Sequence, residues 1–374
     1  MAVDFLIVGG GVAGASAGYF LAEHGRVVLL EREEAPGYHS TGRSAALFTE
    51  TYGNAAIRAL TVCSGPFLRD PPAGFTEHPL LTPRGAMIVA PRDAGESYRA
   101  ALADGQRYVA SVRGLAVEEA MALCPALRRD WLGYAIHEPD AMDMDVHAIH
   151  QGFLRGLRAR GGEIVTSAEV TALARRGTLW EATTPAGRWE APIVIDAAGA
   201  WADEVARLAG VRPVGLVPKR RTAFTIDPPA RHDTSRWPMV IDIEETLYFK
   251  PESGRLLVSP ADETPVAPCD VQPEELDIAE AADRLQARTD IEVRRIVRKW
   301  AGLRSFVRDK TPVVGPAPGA PGFLWLAGQG GYGIMTSPAM GRLVTALATG
   351  KPVPADLLKL GLAAADILPD RLLT

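Results

Sequence analysis

Residues 3–31 read VDFLIVGGGVAGASAGYFLAEHGRVVLLE. The apolar runs over residues 3–8 and 27–30 predict two buried parallel strands, and the small residues between 13 and 23 predict a closely packed helix. The first strand leads into the pattern G-x-G-x-x-G, which combines a tight turn, close approach of the backbone to a pyrophosphate, and close helix–strand packing. The sequence therefore predicts a dinucleotide site whose phosphates lie beside the helix N-terminus, at Gly9, Gly11, Val12, Ala13 and Gly14.

Glu31 ends the second predicted strand. It stands about 20 residues after the glycines, where a carboxylate accepts hydrogen bonds from ribose hydroxyl groups. A 2′-phosphate would be repelled by this charge, which argues against NADP. The glycine pattern and Glu31 do not by themselves distinguish FAD from NAD.

Residues 39–46, HSTGRSAA, favour FAD. A nicotinamide enzyme would continue into another strand–helix repeat, whereas this polar loop suits an extended cofactor. The stretch resembles the D-amino acid oxidase superfamily of FAD enzymes, and within it the bacterial D-arginine dehydrogenases, over nearly the whole chain. No histidine or cysteine stands at an evident attachment position, so we expect FAD to be bound non-covalently.

The resemblance implies an α/β fold of the D-amino acid oxidase type with two domains. A discontinuous Rossmann-like FAD-binding domain is expected over residues 1–80, 141–212 and 300–374. A substrate domain built on an antiparallel sheet is expected over residues 81–140 and 213–299, with two helices on its outside within residues 271–298. The family also implies which residues contact FAD in addition to the glycine pattern: Glu31, Arg32, His39, Ser40, Thr41, Gly42, Arg43, Ser44, Ala45, Ala46, Val170, Ala198, Gly199, Trp201 and Gly302.

Bulk composition narrows the class of protein. The 374 residues are 47% hydrophobic and 23% charged, with a formal net charge of −5, so a nucleic-acid partner has no electrostatic support. Three widely spaced cysteines predict no disulfide and suit a reducing cytoplasm. The chain enters its first strand without a basic segment, so we expect no signal peptide. No apolar run approaches the roughly 20 residues that span a bilayer.

An acid-rich segment over residues 135–145 raises the question of a metal site. It lacks the glycine and the final glutamate of a calcium loop. His147 and His150 could share a helical face, but no third ligand is apparent. We therefore expect no metal, and we interpret the acids as the first turn of a helix that begins near Val146.

A second marker lies near the C-terminus. Residues 300–315, WAGLRSFVRDKTPVVG, fit the W-x-G-x-R pattern of the superfamily. Arg304 is the first candidate for binding an α-carboxylate, because a guanidinium offers a planar, two-pronged donor with a fixed charge. A glycine-rich turn then feeds another helix, and its N-terminus suits the flavin N1–C2=O edge. That turn comprises Gly330, Gly331, Tyr332, Gly333, Ile334 and Met335.

The resemblance also implies a substrate pocket. Arg221 and Arg304 would hold the carboxylate with help from Tyr52 and Tyr248, and the Gly331 carbonyl would orient the amine. In the D-arginine dehydrogenases a glutamate and a histidine occupy the positions of Ala86 and Leu47. Neither residue here can pair with a buried cation, so we expect uncharged side chains in the substrate. Four residues should line the pocket around that side chain: Leu47, Thr49, Ala86 and Met239.

The implied reaction is oxidative deamination of a free D-amino acid to a 2-oxo acid and ammonia, with hydride transfer from Cα to flavin N5. Electrons would pass to a quinone, another acceptor or O2. Three alternatives remain open. The substrate could be a secondary amine such as sarcosine, proline or hydroxyproline; the enzyme could be a 2-hydroxy acid dehydrogenase on the same scaffold; or the chain could be a non-enzymatic flavoprotein or an electron-transfer partner.

Overall fold

The computed structural model describes residues 3–373. Its helices are α1 (Val12–Leu21), α2 (Ala55–Arg69), α3 (Gly95–Tyr108), α4 (Val117–Leu123), α5 (Val146–Ala159), α6 (Ala202–Leu208), α7 (Glu275–Arg288), α8 (Gly333–Ala348), α9 (Ala355–Lys359) and α10 (Ala364–Ile367). Its strands are β1 (Phe5–Val8), β2 (Val27–Leu30), β3 (Leu47–Phe48), β4 (Leu81–Pro83), β5 (Ala86–Pro91), β6 (Arg113–Leu115), β7 (Leu132–Glu138), β8 (Met142–Met144), β9 (Glu163–Val165), β10 (Ala172–Arg176), β11 (Leu179–Thr184), β12 (Gly187–Ala191), β13 (Ile193–Asp196), β14 (Val217–Ile226), β15 (Met239–Asp242), β16 (Tyr248–Glu252), β17 (Arg255–Ser259), β18 (Thr264–Pro265), β19 (Ile296–Phe306), β20 (Val313–Pro316) and β21 (Phe323–Ala327).

A six-stranded sheet in the order β20-β21-β13-β1-β2-β9 collects strands from both ends and the middle of the chain. All its pairs are parallel except β20 with β21. Strands β1 and β2 are buried on both faces, and for this reason every residue in them is apolar. Helices α1, α2, α5 and α8 pack on one face, and α6 with a three-stranded sheet (β10-β11-β12) packs on the other.

A nine-stranded sheet holds the remaining long strands. Its order is β18-β14-β17-β16-β15-β5-β7-β6, and β19 pairs with β14 beside that path. Strands β14 and β19 are antiparallel from Val217↔Phe306 to Ile226↔Ile296. One face of this sheet packs against α7. The contact is a core of large apolar side chains that includes Phe224, Phe249, Ile278 and Leu285.

Two sequence interpretations are wrong. Residues 271–298 contain one helix, α7, rather than two; the chain then extends and enters β19 at Ile296, because β14 supplies a hydrogen-bonding partner there. The acids of residues 135–145 do not form the first turn of α5. Only Asp145 serves that helix, as an N-cap that accepts from the Ala148 amide at 2.8 Å, whereas Glu138 ends β7.

Within residues 3–373, the helices are too short or too polar to cross a membrane.

Candidate active site

A cavity of about 860 Å³ joins the carboxyl ends of the parallel strands to the nine-stranded sheet. The carboxyl edge of a parallel sheet is where such folds bind nucleotides. The cavity lining comes from both sheets and from the loop over residues 37–46. One continuous space can therefore hold a long cofactor and a small molecule next to it.

The glycine turn after β1 leaves no room for side chains at two positions. Gly9 has φ +107°, and a Cβ there would lie 2.4 Å from the Ala197 carbonyl oxygen. A Cβ on Gly14 would lie 1.9 Å from the Gly9 oxygen, so this glycine allows α1 to pack on the turn. Gly9, Gly11, Val12 and Ala13 line the cavity, whereas Gly14 does not. The backbone is thus exposed to a ligand at the N-terminus of α1.

Glu31 closes this turn from the end of β2. Its carboxylate is buried and accepts from the Gly10 amide at 2.7 Å and from the Glu33 amide at 2.8 Å. Burial raises the pKa of Glu31, and the two amide bonds oppose that shift. Beside it, His39 Nε2 lies 2.8 Å from Glu33, and the His39 ring lies 4.6 Å from that of Trp201. A carboxylate and two rings therefore surround the place expected for the nucleoside.

The loop over residues 37–46 is attached to both sheets. Thr41 Oγ1 accepts from the Val12 amide at 3.0 Å, and the Ser40 hydroxyl donates to the Leu303 carbonyl at 2.7 Å. The Trp300 indole donates to the Arg43 carbonyl at 3.0 Å, which gives the tryptophan of the W-x-G-x-R pattern a structural role. Gly42 does not line the cavity; its amide bonds the Gly37 carbonyl at 2.8 Å within the loop.

The other residues predicted to contact FAD all line the cavity. They are Glu31, Arg32, His39, Ser40, Thr41, Arg43, Ser44, Ala45, Ala46, Val170, Ala198, Gly199, Trp201, Gly302, Gly330, Gly331, Tyr332, Gly333, Ile334 and Met335. Gly330 has φ +53°, so the second glycine turn needs a residue that tolerates this conformation before α8 begins at Gly333. Two glycine-rich turns, each at a helix N-terminus, fit the pyrophosphate and the flavin of one FAD molecule.

Arg304 points into the cavity without a charged partner. Its Nη1 donates to the Tyr52 hydroxyl at 3.2 Å, and among residues 3–373 no carboxylate forms an ion pair with it. Burial acts to lower its pKa, but the hydroxyls of Tyr52, Tyr248 and Tyr332 outweigh burial and raise it, so the guanidinium stays charged. A Cβ on Gly331 would lie 2.7 Å from Arg304 Cζ, so that glycine makes room for the guanidinium.

Arg221 is nearby but already has partners. Its Nε donates to the Asp262 carbonyl at 2.9 Å, and its Nη2 lies 3.3 Å from the Glu263 carboxylate. Glu263 also binds Lys219 Nζ at 2.9 Å and Lys310 Nζ at 3.5 Å. These three cations outweigh burial and lower the pKa of Glu263, so its negative charge persists beside Arg221.

Arg220 lies on the opposite face of β14, as strand alternation requires. It forms ion pairs with Glu274 at 2.9 Å and Asp277 at 2.8 Å. Arg220 and Arg221 are therefore both buried among different acids. Asp262 joins the two groups, since its carboxylate lies 3.4 Å from Arg220 Nε and its carbonyl accepts from Arg221.

An apolar wall, interrupted by Glu138, lines the same cavity as the two arginines. Strands β15, β5 and β7 align Met239 with Ala86 and Ala86 with Glu138, and neighbouring partners in a sheet share a face. The next row on this face is Ile241, Ile88 and Ile136. Leu47, Thr49, Tyr52 and Tyr248 complete the lining near this wall.

Several lining residues were missed by the sequence analysis. Glu138, Glu263 and Lys310 all reach the cavity. Glu138 could have been found from the alternation of residues 132–138, LGYAIHE, which is typical of a strand with one buried face. Glu263 and Lys310 carry no local signal, because both lie in loops placed by distant strand pairing.

The structure also locates the histidine pair. His150 is buried, and its Nε2 lies 2.8 Å from the Gly10 carbonyl, so it supports the first glycine turn. Burial lowers the pKa of His150, which favours the neutral ring. Within residues 3–373, no three His, Cys, Asp or Glu side chains come together as a metal site.

Comparison with known proteins agrees with this geometry. Mouse mitochondrial dimethylglycine dehydrogenase is 24% identical over 386 residues, covering 96% of this chain and 43% of the relative. The chain thus spans less than half the length of that relative. Glycine oxidase of Bacillus licheniformis is 25% identical over 376 residues, covering 94% of this chain and 95% of the relative.

The crystal structure of glycine oxidase from Geobacillus kaustophilus superposes with a TM-score of 0.84 at 22% identity, covering 97% of this chain and 99% of that one. The predicted D-amino acid oxidase fold is confirmed, and FAD is the cofactor. The closer likeness to D-arginine dehydrogenases stays a prediction. Residues 4–347 match the family model described as "DAO: FAD dependent oxidoreductase", and the chain belongs to that family of FAD-dependent oxidoreductases.

Proposed function

We propose that the protein oxidises a free D-amino acid with an uncharged side chain to the imino acid. Water then converts the imino acid to a 2-oxo acid and ammonia. The observation that carries the proposal is Arg304, a guanidinium for which residues 3–373 supply no carboxylate partner, in a cavity that also has an apolar wall. A partly buried cation of this kind needs an anion, and the α-carboxylate of an amino acid provides one.

In this proposal the residues bind and orient the substrate. Arg304 and Tyr52 hold the carboxylate, and Tyr248 and Arg221 contact it from the neighbouring strands. The Gly331 carbonyl accepts a hydrogen bond from the amine, which fixes the face of Cα that is presented to the cofactor. FAD supplies the two-electron acceptor. Positioning of this kind accounts for a large part of the barrier reduction in such reactions.

The side chain of the substrate would contact the apolar wall. Ala86, Ile88 and Met239 offer contact surface but no charge. The carboxylate beside Ala86 in this wall, Glu138, already accepts hydrogen bonds from Thr49, Glu50 and Thr51. A cationic side chain would therefore lose its hydration there without gaining a free ion-pair partner, which costs several kcal/mol. D-Leucine, D-methionine and D-phenylalanine are therefore proposed as better substrates than D-arginine or D-lysine.

A second candidate is oxidation of a secondary or N-methylated amine. It is favoured by the name of the dimethylglycine dehydrogenase relative. The carboxylate grip at Arg304 would serve such a substrate equally well, and it would serve a 2-hydroxy acid too. What separates these candidates is the group bound near the Gly331 carbonyl.

The experiment is anaerobic reduction of the bound flavin, followed by loss of its visible absorbance. The panel is D-Leu, D-Met, D-Phe, D-Arg, D-Lys, L-Leu, sarcosine, proline and D-lactate. Rapid bleaching by the apolar D-amino acids alone supports the proposal. Bleaching only by sarcosine or proline favours the second candidate, and bleaching by none of the panel contradicts both.

The proposal also covers the electron acceptor, the mode of FAD binding and the cellular compartment. We propose a quinone or O2 as the oxidant that restores FAD, and non-covalent binding of FAD, which release of the flavin on denaturation would test. The three cysteines are unpaired, one exposed, one partly buried and one buried, which supports a reducing cytoplasm.

A further inference from the structure

Glu138 is a buried carboxylate within the otherwise apolar wall. It is the last residue of β7, lies directly opposite Ala86 on β5, and is 7% exposed. The reaction proposed above gives it no role. A charge in this position needs compensation, because desolvation of an isolated carboxylate is costly.

Its partners are three consecutive residues that follow the FAD loop. Glu138 Oε2 accepts from the Thr49 hydroxyl at 2.7 Å and from the Thr51 hydroxyl at 2.6 Å. Glu138 Oε1 accepts from the Glu50 amide at 3.2 Å. The two threonine hydroxyl oxygens are themselves 3.1 Å apart. The Glu138 side chain thus binds all three residues of the segment 49–51.

The next residue is Tyr52, whose hydroxyl accepts from Arg304 Nη1 at 3.2 Å. Its ring centroid lies 4.9 Å from that of Tyr332. After Tyr52 the chain turns at Gly53, which has φ +84°, and enters α2. Asn54 caps that helix and donates to the Thr311 hydroxyl at 2.8 Å. The chain is therefore fixed on both sides of Tyr52, by Glu138 before it and by Asn54 after it.

We propose that Glu138 is a positioning residue that keeps the Tyr52 hydroxyl at Arg304 and thereby sets the affinity for the substrate carboxylate. The inference rests on the proposed function, because it assumes that a carboxylate binds at Arg304. Glu138 acts through the segment 49–51 and does not contact the reacting atoms. Burial raises the pKa of Glu138, and the three donors oppose that shift.

The test is Glu138→Gln in the FAD-loaded enzyme. The amide keeps the size of the side chain, but it cannot accept from two hydroxyls and from the Glu50 amide at once. We expect KM to rise about tenfold, the size of one lost hydrogen bond to a charged group, while kcat changes less than about twofold. Asp140→Asn is the matched control, since Asp140 is an exposed acid in the turn that follows β7 and accepts from the Ser111 hydroxyl outside the cavity, and it should leave both constants unchanged.

Coupling to Tyr52 separates positioning from a general structural role. In the Tyr52→Phe background, Glu138→Gln should weaken binding by less than about twofold, because the hydroxyl it positions is already gone. Equal losses in both backgrounds would overturn the proposal, as would a Glu138→Gln variant with unchanged KM. If Glu138→Gln does not fold, Thr51→Val removes one of the three donors to Glu138 and should raise KM about threefold; an unchanged KM would overturn the proposal.

Binding of propionate tests the role of Glu138 without requiring that the proposed substrate be correct. Propionate presents a carboxylate without an amine, and its binding is followed by the change in flavin absorbance. If no amine reduces the wild-type flavin but propionate binds, the proposed reaction fails while the role of Glu138 is still measured by the propionate Kd. A Kd about tenfold higher in Glu138→Gln supports the inference, and an equal Kd overturns it.

Discussion

The two walls at the substrate end of the cavity belong to one sheet but differ in charge. Strands β14 and β19 are antiparallel neighbours, and Lys219 on β14 lies opposite Arg304 on β19. Arg221 follows Lys219 by two residues, so all three cations share a face of the sheet. On the β15–β5–β7 side, the same sheet presents Met239 and Ala86. In the proposed function the charged wall binds the α-carboxylate, which every amino acid has, and the apolar wall contacts the side chain, which varies.

The charged wall is itself uneven. Arg221 forms an ion pair with Glu263 at 3.3 Å, whereas Arg304 has no carboxylate partner among residues 3–373 and donates to the Tyr52 hydroxyl. Similar residues on neighbouring strands thus differ in how much charge they can offer a ligand. Arg304 should contribute most of the affinity, and Arg221 should contribute a smaller share.

The largest effect is expected for Arg304→Ala. Loss of a buried, hydrogen-bonded charge partner of a carboxylate costs about 2–5 kcal/mol, so kcat/KM should fall by roughly two to three orders of magnitude. Arg304→Lys is the control, because it keeps the charge and loses the two-pronged geometry; it should recover only part of the loss. Steady-state kinetics with the best D-amino acid measure both. A loss below tenfold in Arg304→Ala would contradict the assignment of the carboxylate site.

Ala86→Glu would add a second carboxylate to the apolar wall, next to Glu138, whose oxygens already accept three hydrogen bonds. We expect the ratio of kcat/KM for D-arginine over D-leucine to rise by about one to two orders of magnitude, because a buried cation would gain a partner. Ala86→Gln is the matched control, since it has the same size without the charge. Competition between the two substrates gives the ratio directly. An equal shift with Gln would show that volume, and not charge, sets the preference.

Arg221→Gln should cost less than the loss of Arg304. Because Glu263 and the Asp262 carbonyl already occupy two of its donors, we expect kcat/KM to fall about tenfold. Arg220→Gln is the control on the other face of β14: it should leave KM unchanged and lower the melting temperature, since Arg220 holds Glu274 and Asp277. If Arg221→Gln matched Arg304→Ala, the proposed inequality of the two arginines would be wrong.

Local pattern explains why much of this site could be predicted. The glycine turn after β1 depends on residues that are neighbours in sequence, and their spacing encodes the geometry directly. The assignments of Arg221, Arg304, Tyr52 and Tyr248 came from resemblance to the superfamily, and all four residues line one cavity. Their individual roles stay predictions that the variants above can test.

The partners of these residues were not predictable. Glu263 is 42 residues from Arg221, and Glu138 is 89 residues from Thr49. No period or motif marks such contacts, because strand pairing creates them. The acid-rich segment shows the consequence: its charge suggested a helix start, whereas pairing with β5 makes Glu138 the end of a strand.

The smallest effect concerns Glu263, the residue that makes the two arginines unequal. Its pKa is lowered below the ordinary value of 4.5, since Lys219, Lys310 and Arg221 together outweigh burial. A carboxylate with a lowered pKa in the folded state stabilises the protein above the ordinary value, and this contribution disappears as pH falls through the lowered pKa. Glu263 is partly exposed, so we expect less than about 1 kcal/mol at neutral pH.

Glu263→Gln should therefore lower the melting temperature slightly at pH 7, with the difference from wild type closing below about pH 4. The same change frees Arg221 from its ion pair, so the affinity for propionate should rise about two- to threefold at pH 7. Thermal unfolding across pH measures the first effect, and flavin absorbance titrations measure the second. A fall in affinity would mean that Glu263 holds Arg221 in its binding geometry rather than competing for its charge, and the contrast between the two arginines would then have another cause.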